Sequence, residues 1–413
     1  MARNPYFQLP HLALPWEVIE NVIEQSRNES QVLYNVSTTC HQLRPRSLSL
    51  LVAHVKLKSE GKVLAFCDFL RGKPYLQPLV RSLVVSPTDF APVPLLSLLP
   101  GLGDIVLITH GYDDTRREER PTTCLNKSIP WYYKHGTRIE TLHLYNLSFS
   151  TCCAFSRMLS AFTCVKDLTC MDLLIRTKEG SHPLQIQGSN QRLAERLALR
   201  VLTLDWDVEE AAVDLLLDLT RSTVERLLLT VPHSYKFVDP DAQLYSFSKA
   251  ADWKQLRFLT LQLLFEPESM LEAIDFFDAF HPPHLQGVTC LLSSDLISVL
   301  YCTNETEESE LPFQELEQIL LGFANPKISL AVDGPLHPRR QRFWTRELGQ
   351  YFPTLLERNA GHQENVTDLY RYLGYLAKYL KYPKYLKYPK SNGLGQVGWV
   401  DLAKYQFTVR CIE

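Results

Sequence analysis

The sequence predicts an α/β chain in which a small three-helix bundle precedes an α/β solenoid with a parallel sheet. Leucine fills 69 of 413 positions while glycine fills only 17, a bias towards helices and leucine-lined stacks. A short apolar template returns at intervals averaging near 30 residues between positions 80 and 321. The intervals hold apolar stripes at helical spacing. The expected division is a helical segment over 1–58, the solenoid over 59–360 and a C-terminal tail over 361–413.

Charge is balanced, with 43 Lys+Arg against 46 Asp+Glu and a net charge of −3, and 45% of residues are apolar. Such a chain is no disordered polyelectrolyte, and it has no basic excess to draw it onto nucleic acid. Ten cysteines contain no C-x-x-C pair; in a chain of this length they are expected to be reduced and mostly buried. No run of 18 apolar residues occurs, which argues against a membrane span. The first twenty residues carry Pro5, Pro10, Pro15 and Glu17 where a secretory signal needs an apolar stretch. Six N-x-[ST] sequons, at Asn28, Asn35, Asn126, Asn146, Asn304 and Asn365, are therefore expected to stay unmodified. The expected location is cytoplasmic and/or nuclear, not secreted.

Along the N-terminal segment, Pro15 suits a helix start, where a missing N–H costs nothing. Val18, Ile19, Val22 and Ile23 then form one face of a short helix. Ser30 is placed to cap a second helix striped by Val32, Leu33, Val36, Cys40 and Leu43. Pro45 ends or redirects it, and Ser47 to Val55 adds a third apolar turn that runs into Val55-Lys56-Leu57. Three short helices bury too little surface to be comfortable alone, so the bundle wants a partner or a flanking domain.

The ordered combination of Leu14-Pro15-Trp16-Glu17, the helix stripe, Cys40, Arg44-Pro45-Arg46-Ser47 and a final V-x-L strand resembles the F-box, most closely that of large fungal families. The match runs from Leu14 to Leu57, about a tenth of the chain. The resemblance implies docking onto the adaptor subunit of a cullin–RING (SCF-type) ubiquitin ligase. It assigns the adaptor-contacting positions to Leu14, Pro15, Val18, Ile19, Ile23, Leu33, Val36 and Cys40. The chain departs from the family at Leu43, where Trp is frequent, and at the polar run Ser37-Thr38-Thr39.

The repeating template is h-x-x-h-x-h, with h apolar. Its copies begin at Val80, Leu102, Ile139, Val165, Leu199, Val224, Leu256, Leu285 and Leu316. At 45% apolar content three fixed apolar positions arise by chance about once per eleven residues, so one copy means nothing. The intervals decide it. Phe155, Met158, Leu159 and Phe162 fall at i, i+3, i+4 and i+7, as do Ala212, Leu215, Leu216 and Leu219, and Met270, Ala273, Ile274 and Phe277. Strand, turn, helix at this spacing is the pattern of leucine-rich repeats, and it resembles the irregular repeats that often follow an F-box. A doubly wound domain would want longer apolar strands and glycine-rich turns.

Within each template the three h positions are expected to line the interior. The residue between the last two, and the residue just after, alternate to the open concave side. His143, Tyr145, Thr203, Asp205, Thr260 and Gln262, with Trp206 at the rim, are the candidate target-binding residues. Val84, Ser86, Thr169, Met171, Leu228, Thr230, Thr289 and Leu291 occupy equivalent positions. This mixed, weakly charged strip suits a protein partner.

The charged runs 113–120 and 305–310 read as solvated loops. His337-Pro338-Arg339-Arg340-Gln341-Arg342 is a local basic cluster before an apolar helix over 343–358. Residues 378–390 duplicate KYLKYP, a low-complexity insert. Gly393-Leu394-Gly395-Gln396-Val397-Gly398 spells a dinucleotide fingerprint, but no strand precedes it and only 15 residues follow, so it is rejected. Cys152, Cys153, Cys164 and Cys170 cluster, yet they read as small hydrophobes; His281 and His284 flank a Pro-Pro turn. No catalytic residue, metal or cofactor is assigned. The expected function is a substrate receptor with no reacting group, its partners the adaptor, through it a cullin, and an unknown target protein. The alternative is a non-catalytic repeat scaffold whose F-box-like cap is vestigial. Neither a nucleic acid nor a membrane is expected as partner.

Overall fold

The structure is a computed structural model that describes residues 14–86, 92–109, 123–175, 193–230, 253–263, 267–279, 284–292, 311–323, 327–332 and 348–355. Leu14 and Pro15 lead into α1 (Trp16–Gln25), followed by α2 (Ser30–Thr39) and α3 (Arg44–Ala53). Pro15 carries φ −50° and ψ 143°, an extended entry from which its carbonyl accepts the amide of Val18 at 3.0 Å. Ser30 does not cap α2: it is the first helical residue, Glu29 holds the cap position, and no side chain bonds there. Pro45 sits in the first turn of α3, where its fixed φ costs nothing.

α3 runs directly into β1 (His54–Leu57). Then come α4 (Glu60–Gly72), β2 (Ser82–Val85), α5 (Val93–Leu98), β3 (Asp104–Ile108), α6 (Thr123–His135), β4 (Thr141–Phe149), α7 (Cys152–Leu159) and β5 (Asp167–Ile175). β6 (Val201–Val208), α8 (Glu210–Thr220), β7 (Arg226–Thr230), β8 (Phe258–Leu263), α9 (Pro267–Ala279), β9 (Gly287–Leu292), α10 (Leu311–Gly322) and β10 (Lys327–Val332) complete the order. The fold is α/β, with one ten-stranded sheet whose strands lie side by side in chain order, every pair parallel.

The template explains the register. Its middle h residues pair across the sheet as Leu83, Ile105, Leu142, Leu168, Leu202, Leu227, Leu259 and Val288, and its last as Val85, Leu107, Leu144, Cys170, Leu204, Leu229, Leu261 and Cys290. All sixteen are buried, as are the first h residues of these eight copies. The second template residue extends each ladder by one bond: the amides of Lys166, Arg200, Glu225 and Arg257 each donate to the carbonyl of the equivalent residue one strand back. The helical stripes meet this row. Phe155, Met158, Ala212, Leu216, Met270, Ala273 and Phe277 share one apolar cluster with the h residues. A smaller cluster on the opposite face is built from strand residues alone, Val84, Val106 and Tyr145, with Ile108 and Met171 against it. Helices on one face, and strand order without a reversal, differ from a doubly wound sheet.

Two expectations change. The ninth template copy, at Leu316, lies in α10 rather than in a strand. There Phe313, Leu316, Glu317 and Leu320 form the buried stripe, a 3.6-residue period that satisfies the template by accident. The strand that continues the sheet is β10, whose Ile328 and Leu330 pair with Val288 and Cys290. Asn325 stands where its first h residue should be, which hides it from the pattern. At the other end, β1 lies inside the 1–58 segment but pairs with β2, His54 opposite Ser82, so the helical segment and the sheet share a strand.

β4 and β5 are bent by one residue each. Asn146 and Asp172 adopt φ of 52° and 53°, a left-handed conformation that Asn and Asp tolerate better than most. Leu142 and Leu144 point to the helices, and Leu147 and Phe149 do so too, although strict alternation would separate them. The left-handed residue resets the parity, so each strand buries two more apolar side chains on the same side. Gly136 serves a different need: a Cβ there would lie 2.3 Å from the Ala161 carbonyl oxygen.

Of the expected outer segments, residues 348–355 are described, with Phe352 and Leu355 buried and the Leu355 amide donating to Glu317 Oε1 at 2.9 Å. The charged runs at 113–120 and 305–310, the 337–342 cluster, His281, the 378–390 duplication, the 393–398 glycines and the 361–413 tail lie outside the described residues. No described helix is long and apolar enough to cross a membrane.

Candidate interaction surfaces

The N-terminal helices offer a first candidate surface because they cannot bury their own apolar residues. Ile23, Leu33 and Val52 are their buried apolar side chains, joined by Ser37 and Ser47. Both serines satisfy their hydroxyls within their own turn, Ser37 on the Tyr34 carbonyl at 2.7 Å and Ser47 on the Leu43 carbonyl at 3.0 Å. Thr38 and Thr39 likewise donate to Asn35. The polar run Ser37-Thr38-Thr39 therefore sits on the helix at no hydrogen-bonding cost. Arg46 and Arg27 both pair with Glu24, tying α3 to α1.

The eight residues assigned by the F-box resemblance separate into three environments. Ile23 and Leu33 are core, 3% and 1% exposed. Ile19, Val36 and Cys40 are half-buried. Leu14, Pro15 and Val18 face outward. Trp16, Val22 and Tyr34, which the resemblance did not single out, are exposed as well. Periodicity gave no signal for them: Trp16 stands seven residues before Ile23, on nearly the same helix face, and Val22 belongs to the stripe that includes Ile23.

The second candidate surface is the sheet face away from the helices. Parity places His143, Tyr145, Thr203, Thr260 and Gln262 there, as the alternation rule requires, but the expected open strip is mostly closed. His143, Thr169 and Thr203 are 1–2% exposed, Tyr145 is 2% and Gln262 5%. Thr260 is half-buried. Asp205 and Trp206 belong to β6, but their side chains lie outside the described residues. Strand alternation fixes which face a residue takes, yet it carries no information on what lies over that face.

Within the closed part, the His143 and Tyr145 rings stack at 5.8 Å and 21°, and the Tyr145 hydroxyl is 3.3 Å from His143 Nδ1. Asp104 Oδ1 lies 3.7 Å from Nε2, beyond hydrogen-bond length. Burial holds the imidazole at a pKa of about 4, so the ring is neutral at pH 7 and this contact is not an ion pair. Thr230 donates to Gln262 Oε1 at 3.4 Å.

The described cysteines are free; Cys67, Cys170 and Cys290 are buried, whereas Cys153 and Cys164 are exposed. The expectation of mostly buried thiols therefore holds only for those three. Cys170 and Cys290 replace leucine at the last template position, and burial pushes the Cys290 thiol up to about 12 and that of Cys170 up as well. Neither is a nucleophile at neutral pH. No group of His, Cys, Asp and Glu among the described residues has the spacing of a metal site.

Neither a protein-family model nor a curated protein sequence matches the chain.

Proposed function

We propose that the chain is the substrate-recognition subunit of an SCF-type cullin–RING ubiquitin ligase. The N-terminal helices act as an F-box that docks on the adaptor, and the sheet with its helices acts as a leucine-rich-repeat solenoid that holds a target protein. The observation that carries the reading is that the N-terminal segment leaves large apolar side chains exposed: Leu14 is 60% exposed, Trp16 42%, Val18 40%, Val22 57% and Tyr34 57%. These five fall within 21 residues, and so much exposed apolar surface on a small helical unit supports a partner that completes it. Burying it returns roughly 25 cal/mol per Å² of apolar area. The sequential parallel sheet with helices on one face supports the repeat reading. In this role the chain contributes proximity: it raises the local concentration of target lysines near a recruited conjugating enzyme and supplies no reacting group. The reading implies work in the cytoplasm or nucleus.

One observation favours a second reading, a repeat scaffold with a vestigial cap. β1 follows α3 without a break and pairs with β2 at the edge of the sheet, and the Arg81 amide donates to the Ala53 carbonyl at 2.9 Å. The same helices can shield an edge that would otherwise pair with another chain.

Co-purification of the full chain with the adaptor separates the two. Leu14→Ala with Pro15→Ala removes exposed side chains, so thermal stability should shift by no more than about 2 °C. The receptor reading expects adaptor capture to fall at least about tenfold. Unchanged capture, or unfolding of the double variant, favours the cap.

A further inference from the structure

The sheet face away from the helices stays open at one corner, the beginning of β7 to β10. Resting on the reading that the array holds a target, we propose that this corner binds an extended target segment with two acidic side chains four residues apart and an apolar side chain midway. Arg226, Phe258, Gly287 and Lys327 form one register row. Thr260, Thr289 and Ser329 stand in the next row on the same face. The intervening Leu227, Leu259, Val288 and Ile328 belong to the helix-side core, so strand alternation sends these two rows outward. Elsewhere the second row is closed, from Val84 to Thr203, while the first is half-buried at Asp104, Thr141, Asp167 and Val201. Here Arg226 and Lys327 are exposed, and Phe258 is 41% exposed.

The chemistry of the corner is specific. The Arg226 guanidinium lies over the Phe258 ring, 5.2 Å from its centroid. This contact pre-orders both groups. Gly287 lets the ring lie close over the sheet, since a Cβ there would stand 3.1 Å from Phe258 Cδ1. An apolar side chain can pack on the exposed part of the Phe258 ring, with a cation on either side of it. The surrounding rim is basic as well: Lys166, Arg200 and Arg257 are exposed at the starts of neighbouring strands. Asp167, half-buried, lies within electrostatic reach of Lys166, Glu140, Arg226 and Arg200; Lys166 is paired with Glu140 at 3.0 Å, and the two arginines outnumber Asp167. The field at this corner therefore favours anions.

Spacing sets the motif. Arg226 and Lys327 are three strand intervals apart, roughly 14 Å at ~4.8 Å per strand. An extended chain rises about 3.3 Å per residue, so residues i and i+4 span that distance and point to the same side. Residue i+2 also points down, over Phe258 and Gly287. The three hydroxyls of the next row offer hydrogen bonds to the segment's backbone.

The test is fluorescence anisotropy of a labelled synthetic peptide carrying Glu, Leu and Glu at alternate positions, titrated with the full chain. Saturable binding that weakens with added salt is expected. Arg226→Glu and Lys327→Glu should each weaken it by about fivefold or more, and Phe258→Ala should do the same. Replacing both peptide glutamates by glutamine tests the charge requirement with the protein unaltered, so a variant that fails to fold does not blunt the experiment. Absent binding, equal affinity for the glutamine peptide, or indifference to all three folded variants would overturn the proposal. Adaptor capture by the same variants should be unchanged. If the unaltered chain captures the adaptor but does not bind the peptide, this proposal alone fails; if it binds the peptide but not the adaptor, the receptor reading alone fails.

Discussion

His143 is buried at 2% on the sheet face and stays neutral at pH 7 because burial lowers its pKa to about 4, with Asp104 and Tyr145 beside it. The unfolded chain takes up a proton near pH 6.5; the folded chain does not until the pH is well below that. Between those values the unfolded state binds more protons, so stability falls as pH falls through this window, by on the order of 3 kcal/mol at the low end. Urea unfolding from pH 7 to pH 4.5 should show this decline, and His143→Gln should flatten it; an equal slope in both proteins would contradict the assignment. The sequence revealed which face His143 takes, because Leu142 and Leu144 flank it in a template that alternates. Its burial was not legible, since periodicity reports the pleat and not what covers it. The same limit applies to Thr203 and Gln262. Val18 and Val22 are the converse: the stripe Val18-Ile19-Val22-Ile23 is one apolar face in the sequence, yet both valines are exposed and only Ile23 is core, because three short helices have room for only a few inward side chains.

At the scale of elements, the bends in β4 and β5 show how a strand can bury four residues on one side. Asn146 and Asp172 occupy corresponding places, between paired Tyr145 and Met171 and paired Leu147 and Leu173. The Asn146 amide also donates to the Thr109 carbonyl at 3.4 Å, tying the bend to the end of β3. Asn146→Val should destabilise the fold by about 1–2 kcal/mol, because a β-branched residue resists the left-handed region. Asn146→Gly should cost far less. Equal losses in urea unfolding would point to side-chain contacts rather than backbone conformation. Neither bend is visible to a template of six residues, since each falls two positions beyond it. The template was dependable at the eight copies from Val80 to Leu285, whose middle and last positions all fall in paired strands. It failed at Leu316, where a helix supplied the same pattern, and missed β10, where Asn325 breaks it.

Across the whole molecule, the sheet runs from β1, next to the N-terminal helices, to β10, and the two proposed surfaces lie near opposite ends of that order. A receptor needs such separation, so that one surface can be occupied without obstructing the other. The helices before β1 leave five large apolar side chains in solvent, whereas the eight strands from β2 to β9 bury all twenty-four template residues. On the proposed reading, residues 14–40 are the expected adaptor-binding segment and the sheet is self-sufficient. Amide hydrogen exchange of the full chain, with and without the purified adaptor, tests that assignment most directly. Slowed exchange confined to residues 14–40, with β2 to β9 unchanged, is the expected result. No protection anywhere, or protection confined to the sheet, would contradict it.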